Sequence, residues 1–434
     1  MSETVGVLGV GYVGLTTACC LAHLGHTVRC MDTDVSKVER LARGEPTILE
    51  KGLPELLREG IEAGRLSFTT DVSRAVEGAG FVFLCVPTPQ GQDGSADTSA
   101  IEAASRAVSP HLATGAVVVN KSTVPIGSTV LVEGLLGRGD IPVVSNPEFL
   151  REGSAVHDSL HPERIVVGGE DRDAAARVGS LFAATHAPLI VTDPATAETI
   201  KYASNAFLAT KLSFVNAVAG LCEAVGADVR DVLLGMGYDH RIGFDYLRPG
   251  PGWGGSCLPK DTRALVRLAE DAGYDFSFVR DVIAINDAHR ERVIDKVRDA
   301  AGGSLAGCRI AVWGLTFKAA TDDLRDSPAV TIVQRIVGEG ATVRVYDPTV
   351  EEVPRELWPS EPSTGTIEIS RDPYDACSEA CVLAVLTEWD ELRWLDFAKV
   401  REQLAEARIV DARNLLDPAQ IRRLGYSYVG IGRP

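Results

Sequence analysis

Positive charge is in short supply in this chain. Its 434 residues hold 43 Lys and Arg against 60 Asp and Glu, a formal net charge of −17. A general nucleic-acid surface needs a basic excess, so no nucleic-acid partner is expected. A small anionic ligand is still allowed, because one site can be locally basic inside an acidic protein. Metal-type cysteine spacing is also lacking. The nine cysteines are scattered, with no CxxC pair and no Cys/His zinc pattern, so no metal site is expected. Cys377 and Cys381 stand four apart, but no His or second pair supports a metal there. An odd, scattered set gives no disulfide framework and fits a reducing, cytoplasmic location. Cys19, Cys20, Cys30, Cys85, Cys222 and Cys381 lie in apolar runs and are expected as inert core residues. Finally, no stretch reaches the roughly 18 uninterrupted apolar residues of a membrane span. The most apolar segment near the start, VGVLGVGYVGLTTACCLAHLG, has no basic residue ahead of it and is broken by glycines at fixed offsets. That reads against a signal peptide, and no membrane partner is expected.

What is present is a soluble, globular composition: 45% hydrophobic and 24% charged residues. The length implies two to four domains. At the N-terminus an apolar strand runs into Gly9, Gly11 and Gly14, the pattern GxGxxG. A helical segment follows, then a second strand ending at Asp32, eighteen residues beyond Gly14. In that context the glycines allow a tight turn and let backbone N–H groups approach a pyrophosphate at a helix N-terminus. The acidic residue suits a free ribose 2′-OH and repels a 2′-phosphate, so NAD is favoured over NADP. Further apolar runs at 80–89, 116–125 and 141–149 each end in a polar or Pro-containing loop, the pattern of a parallel sheet buried on both faces. Thr88, Thr123 and Glu148 fall at those strand ends, where ligands of such sheets sit.

From about Ala195 to Gly226 the pattern turns helical, with no proline inside. About thirty residues at ~1.5 Å each give a helix of roughly 45 Å, long enough to span domains or form a subunit interface. The last third repeats the first: RIAVWGLTFK matches VGVLGVGYVG as a strand ending in glycine, and ATVRVYDPT matches HTVRCMDTD, including the Asp. The expected fold is therefore α/β, with two Rossmann-like doubly wound domains joined by a long central helix and helical connector. The expected boundaries are 1–194, 195–303 and 304–434. The second copy lacks GxGxxG and is expected to bind something other than the dinucleotide.

Four constellations could carry chemistry. Cys257 stands just before a helix start marked by Pro259 and ended at Gly273. The helix N-terminus and Lys260 both favour a thiolate, and Gly254 and Gly255 would let a ligand approach closely. The local residues leave a nucleophile and a turn-side core cysteine equally open. Lys201 and Asn205, four apart, share one helix face and could stabilise an oxyanion; a solvated lysine and a packing asparagine are the plainer alternative. Glu148 could serve as an acid or base, or simply belong to an exposed acidic helix start with Glu152. Lys318 and Arg325, after the first strand of the second copy, could hold phosphates or lie in a charged surface loop.

Six motifs run in one order along the chain: GVGYVG (9–14), STVPIGS (122–128), NPEFLREG (146–153), KYASNAFLATKLSF (201–214), GGSCLPKD (254–261) and GLTFKAATDDLRDSPA (314–329). With these the whole chain resembles the UDP-glucose/GDP-mannose dehydrogenase family. The resemblance implies a four-electron oxidation of a nucleotide sugar's C6 alcohol to a carboxylate, with two NAD reduced and Cys257 as the nucleophile. It implies oxyanion stabilisation by Lys201 and Asn205, water held by Asp261 and Thr123, and Glu148 as general base. NAD would be contacted by Gly9, Gly11, Val13, Gly14, Asp32, Lys37, Thr88, Thr123, Glu152, Lys260 and Arg325. The sugar nucleotide would be held by Glu148, Phe149, Leu150, Arg151, Glu152, Lys201, Asn205, Tyr246, Leu247, Arg248, Gly254 and Lys318. Arg241 is similar to a family arginine that reaches a neighbouring subunit's substrate, which implies a homodimer or higher oligomer. GWGGSCLPKDTRAL looks most like the members acting on UDP-glucose, while the Leu of SCLPKD also occurs in those acting on GDP-mannose. Members acting on UDP-N-acetyl sugars place His where this chain has Ser256 and rank third. A catalytically silent binder of NAD or nucleotide sugar is the non-enzyme alternative.

Overall fold

The computed structural model describes residues 2–91, 96–357 and 365–433. The chain forms two compact units, one of residues 1–204 with 263–274, the other of 205–262 with 275–434.

The first unit is built on an eight-stranded sheet. Its strands are β1 (Thr4–Leu8), β2 (Thr27–Met31), β3 (Leu66–Thr69), β4 (Phe81–Leu84), β5 (Val117–Asn120), β6 (Val143–Ser145), β7 (Ile165–Gly168) and β8 (Leu189–Thr192). Their spatial order is β3-β2-β1-β4-β5-β6-β7-β8. All neighbours run parallel except β6 and β7. The runs VGVL, FVFL and VVV are buried throughout, as expected of a sheet covered on both faces. Order reverses between β1 and β4, the place where ligands of such sheets bind.

The second unit repeats the plan with β9 (Arg309–Trp313), β10 (Thr342–Tyr346), β11 (Thr366–Ile369), β12 (Val382–Val385), β13 (Arg408–Asp411) and β14 (Ser427–Gly430). Their order is β11-β10-β9-β12-β13-β14, all parallel. The two sheets thus share the 3-2-1-4-5-6 winding, and the expected pair of doubly wound folds is present.

The helical run forms one element, Pro194–Val225. Among the described residues it is the one helix long and apolar enough to cross a membrane by length and composition. Five of its buried polar side chains, Glu198, Lys201, Asn205, Ser213 and Asn216, bond to protein. Glu198 accepts from Gly127 and Thr129, and Lys201 donates to Glu148. Asn205 donates to Asp261, Ser213 donates to the Val282 carbonyl, and Asn216 accepts from Gly250. Such a ladder is the construction of a helix packed within protein.

Five of the six cysteines expected in the core are buried, but Cys381 is only half-buried. It precedes β12 at the mouth of its strand, where the apolar run has not yet entered the sheet.

Candidate active site

The glycine turn is explained residue by residue. Gly9 has φ +88°, and a Cβ there would lie 2.6 Å from the Cys85 carbonyl oxygen. A Cβ on Gly14 would lie 1.9 Å from the Gly9 carbonyl oxygen. These two glycines are needed by the protein itself, one for the turn and one for helix–strand packing. Gly11 is different: a Cβ there would meet nothing within 4 Å. The helix Tyr12–His23 that follows has no side-chain N-cap and no acidic residue in its first turn. Its N–H groups are therefore left for an anion, and the space over Gly11 lets one approach. Asp32 closes the turn by accepting from Val10 N at 3.0 Å, with Lys37 Nζ at 3.5 Å. Val13 is half-buried in the first helical turn. This cradle fits the pyrophosphate and ribose of a dinucleotide. In the second unit Asp347 holds the same place at the end of β10. It is buried and already accepts from Leu315 N, Thr316 N and Trp389 Nε1, so its carboxylate is consumed by its own turn.

At the carboxyl edge of the first sheet the predicted strand-end residues come together. Thr88 donates to the Thr123 carbonyl at 2.8 Å. Glu148 is buried, and Lys201 Nζ donates to its Oε1 at 2.7 Å and to its carbonyl at 2.8 Å. Leu150 N donates to Oε2 at 2.7 Å. Burial alone would push the Glu148 carboxyl up, but the Lys201 ammonium outweighs it and holds the group below the usual carboxylate range. The segment 146–153 is not an exposed helix start; it is an extended loop with Glu148 turned inward. Phe149 lies beneath the Arg164 guanidinium at 3.6 Å. Arg151 is paired with Asp158, and Leu150 and Glu152 are half-buried.

Sequence reasoning missed what moors this loop. Tyr12 Oη donates to Glu50, and Gly153 N donates at 2.7 Å to both the Tyr12 hydroxyl and Glu50 Oε2. The glycine turn and the loop are thereby tied through a buried glutamate that no local signal marked.

The second unit carries the thiol. Cys257 is half-buried, and its carbonyl accepts the first bond of the helix Leu258–Asp271, from Asp261 N at 2.9 Å. The thiol thus sits at the positive end of a helix dipole. Ser256 Oγ lies 3.5 Å from Sγ. Asp261 is fully buried; it accepts from Asn205 Nδ2 at 2.6 Å on one oxygen and from Lys260 Nζ at 2.7 Å on the other. The loop before Cys257 is pinned from three sides. Trp253 Nε1 donates to Ser213, Trp253 N donates to Asn286, and His289 Nε2 meets the Gly250 carbonyl at 2.7 Å. Gly254 and Gly255 were expected to make room for a ligand. A Cβ on Gly254 would lie 2.0 Å from the Asp326 carbonyl oxygen, and one on Gly255 would lie 2.8 Å from the Phe317 ring. The room is taken by the chain itself.

The remaining candidates belong to the second unit. Tyr246 adopts φ +62°. The Leu247 side chain packs in the core of the second unit, so its backbone is what a ligand could reach. Arg248 is exposed. Arg241 and Arg325 are exposed and each forks onto a nearby aspartate, Asp239 and Asp323. Lys318 lies 5.4 Å over the Phe317 ring.

Comparison with known proteins covers the whole chain. Residues 3–186 match the model of the NAD binding domain of the UDP-glucose/GDP-mannose dehydrogenase family, 195–288 its central domain and 311–418 its UDP binding domain. A UDP-glucose 6-dehydrogenase of Rhizobium meliloti is 44% identical over 440 residues, covering 99% of each chain. One of Pseudomonas aeruginosa is 41% identical, covering 99% of this chain and 97% of its own. The structure of a UDP-glucose dehydrogenase from Pyrobaculum islandicum superposes with a TM-score of 0.90 at 36% identity, covering 100% of this chain and 98% of that one.

Proposed function

The chain belongs to the UDP-glucose/GDP-mannose dehydrogenase family, and from that premise we propose that it oxidises UDP-glucose to UDP-glucuronate with two NAD per turnover. The choice of sugar nucleotide follows the full-length relatives. The observation that carries the chemistry is Cys257 at the head of the helix Leu258–Asp271, one turn from the Asp261–Asn205 pair.

Bound NAD supplies the oxidant, accepting a hydride at each of the two oxidations. The residues of the chain do the rest. Lys201 and Asn205 hold the C6 oxygen while it carries negative charge. The Cys257 thiolate adds to the aldehyde to give a thiohemiacetal, and the second oxidation leaves a thioester on the same sulfur. Glu148 takes the proton of the water that cleaves it, aided by Thr123. Each Glu148 oxygen keeps a lone pair beyond the bonds from Lys201 and Leu150, so it can still accept. Asp261 acts by fixing the Asn205 amide and the Lys260 ammonium, and through them the water. Gly9, Gly11, Val13, Gly14, Asp32, Lys37, Thr88, Glu152, Lys260 and Arg325 hold NAD. Residues 149–152, Tyr246, the backbones of Leu247 and Gly254, Arg248 and Lys318 hold the nucleotide sugar.

The active unit is a homodimer or higher oligomer, working in the reducing cytoplasm that free cysteines suit. Phe207, Phe214 and Leu221 recur at every seventh position of the long helix and are all exposed, one apolar stripe on one helix face. Lys211 on the same helix donates to the Ile242 carbonyl, beside Arg241. Light scattering that finds only monomers would reject the dimer.

The reaction is tested by supplying limiting UDP-glucose and excess NAD. About two NADH per sugar are expected from two hydride transfers; one per sugar would reject the mechanism. GDP-mannose at the same concentration should turn over at a small fraction of the rate.

A further inference from the structure

One buried charge at the edge of the first sheet has no part in the reaction as just described. Lys121 follows the last residue of β5 and is 7% exposed. Its Nζ donates to Asn146 Oδ1 at 3.0 Å and lies 3.4 Å from the Asn146 carbonyl. Asn146 is itself fixed, donating from Nδ2 to the Val166 carbonyl at 2.7 Å and from its N–H to the Asn120 carbonyl at 2.9 Å. The Phe182 ring lies 5.6 Å from Nζ. Every one of these partners is neutral, and Lys121 makes no ion pair among the described residues. A buried ammonium without an anion in contact is costly. The charges that face it from neighbouring elements are Glu148 and Lys201, with the Cys85 thiol. Glu148 therefore feels two ammonium groups, Lys201 in contact and Lys121 at longer range.

We propose that Lys121 is a positioning residue for Glu148: through Asn146 it fixes the start of the 146–153 loop, and its ammonium is the second cation that keeps Glu148 ionised. The inference rests on the role given to Glu148 above. The geometry also makes the charge adjustable. Burial pulls Lys121 down to about 8, while burial pushes Cys85 up to about 12, so the thiol stays neutral. A neutral amine can still donate to Asn146. Raising the pH through 8 therefore neutralises Lys121 and leaves the loop in place, with Glu148 still ionised beside Lys201.

The test compares full-length Lys121→Met and Lys121→Arg with the parent across pH. In Lys121→Met the acid limb of kcat/KM set by Glu148 should move to higher pH, because one of its two cations is gone. Its kcat should drop about ten-fold, with the KM for NAD little changed. Lys121→Arg should keep the acid limb where it is, because a guanidinium stays charged. A parent-like acid limb in Lys121→Met would overturn the proposal. Should that variant not fold, an acid limb displaced to higher pH in Lys121→Arg would overturn it. Thermal denaturation separates this from a failure of the Glu148 role. The folded state binds the Lys121 proton less tightly than the unfolded chain, whose lysines titrate at about 10.4. The parent should therefore gain stability on Lys121→Met as pH rises from 8 toward that value. A gap between the two that does not change with pH would reject the titration of Lys121 whatever Glu148 does.

Discussion

Asn205 Nδ2 donates to Asp261 Oδ2 at 2.6 Å inside the second unit, both side chains buried. The amide oxygen of Asn205 is thereby turned away from the carboxylate and its orientation is set. Asp261→Asn would replace an acceptor-only group by one that can also donate, freeing the Asn205 amide to flip and leaving Lys260 unpaired. The expected result is a fall in kcat of about 10- to 100-fold with a far-ultraviolet spectrum like the parent's. Steady-state rates with both substrates saturating check it.

The glycine turn offers two substitutions with opposite readouts. Gly11→Ala meets no protein atom within 4 Å, so stability should stay within about 0.5 kcal/mol. The KM for NAD should nonetheless rise about ten-fold or more, because the methyl occupies the anion's approach. Gly14→Ala drives a Cβ into the Gly9 carbonyl and should cost about 2 kcal/mol or more of stability. Denaturant titration and NAD saturation curves together separate the two, and equal behaviour would reject the assignment.

Glu148 and Lys201 form a pair with 6% and 4% of their side chains exposed. Glu148→Gln keeps an acceptor for Lys201 but removes the compensating charge, at a cost of about 2 kcal/mol or more at neutral pH. The sign with pH follows from the depressed Glu148 carboxyl. Its stabilisation is complete above the unfolded value of about 4.3 and is lost as pH falls through the lower folded value. The gap between parent and variant should therefore close in acid. Melting temperatures at pH 7 and in strong acid test this.

Cys257→Ala leaves the glycine turn and Asp32 untouched, so NAD should bind as before. Acid formation should collapse by several orders of magnitude, the scale lost with a nucleophile. Normal acid production by this variant, measured by chromatography, would remove Cys257 from the mechanism.

Both sheets, the long helix and the glycine turn were legible from strand-length apolar runs, glycines at fixed offsets and an unbroken helical period. So was the helix after Cys257, through Pro259. The partnerships were not. Lys201 and Asn205 read as a pair because four residues is one helical turn, yet each bonds a different carboxylate, Glu148 and Asp261. Those contacts span 53 and 56 residues, and no local pattern encodes them. Glu50 shows the same limit. Nothing near it in sequence marks it, and its partners Tyr12 and Gly153 lie 38 and 103 residues away. Gly254 and Gly255 failed differently. Their small size was legible, but which neighbour needed it was a question of shape across the second unit.

That shape has a consequence for how the protein can be cut or rebuilt. The Asp326 carbonyl and the Phe317 ring stand where side chains at 254 and 255 would be, so the segment after β9 is the mould in which the cysteine loop is cast. A chain ending before residue 317 would keep every residue of GGSCLPKD and the helix behind it, yet have nothing to press the thiol into register. Grafting the cysteine motif onto another scaffold would transplant the letters without the die.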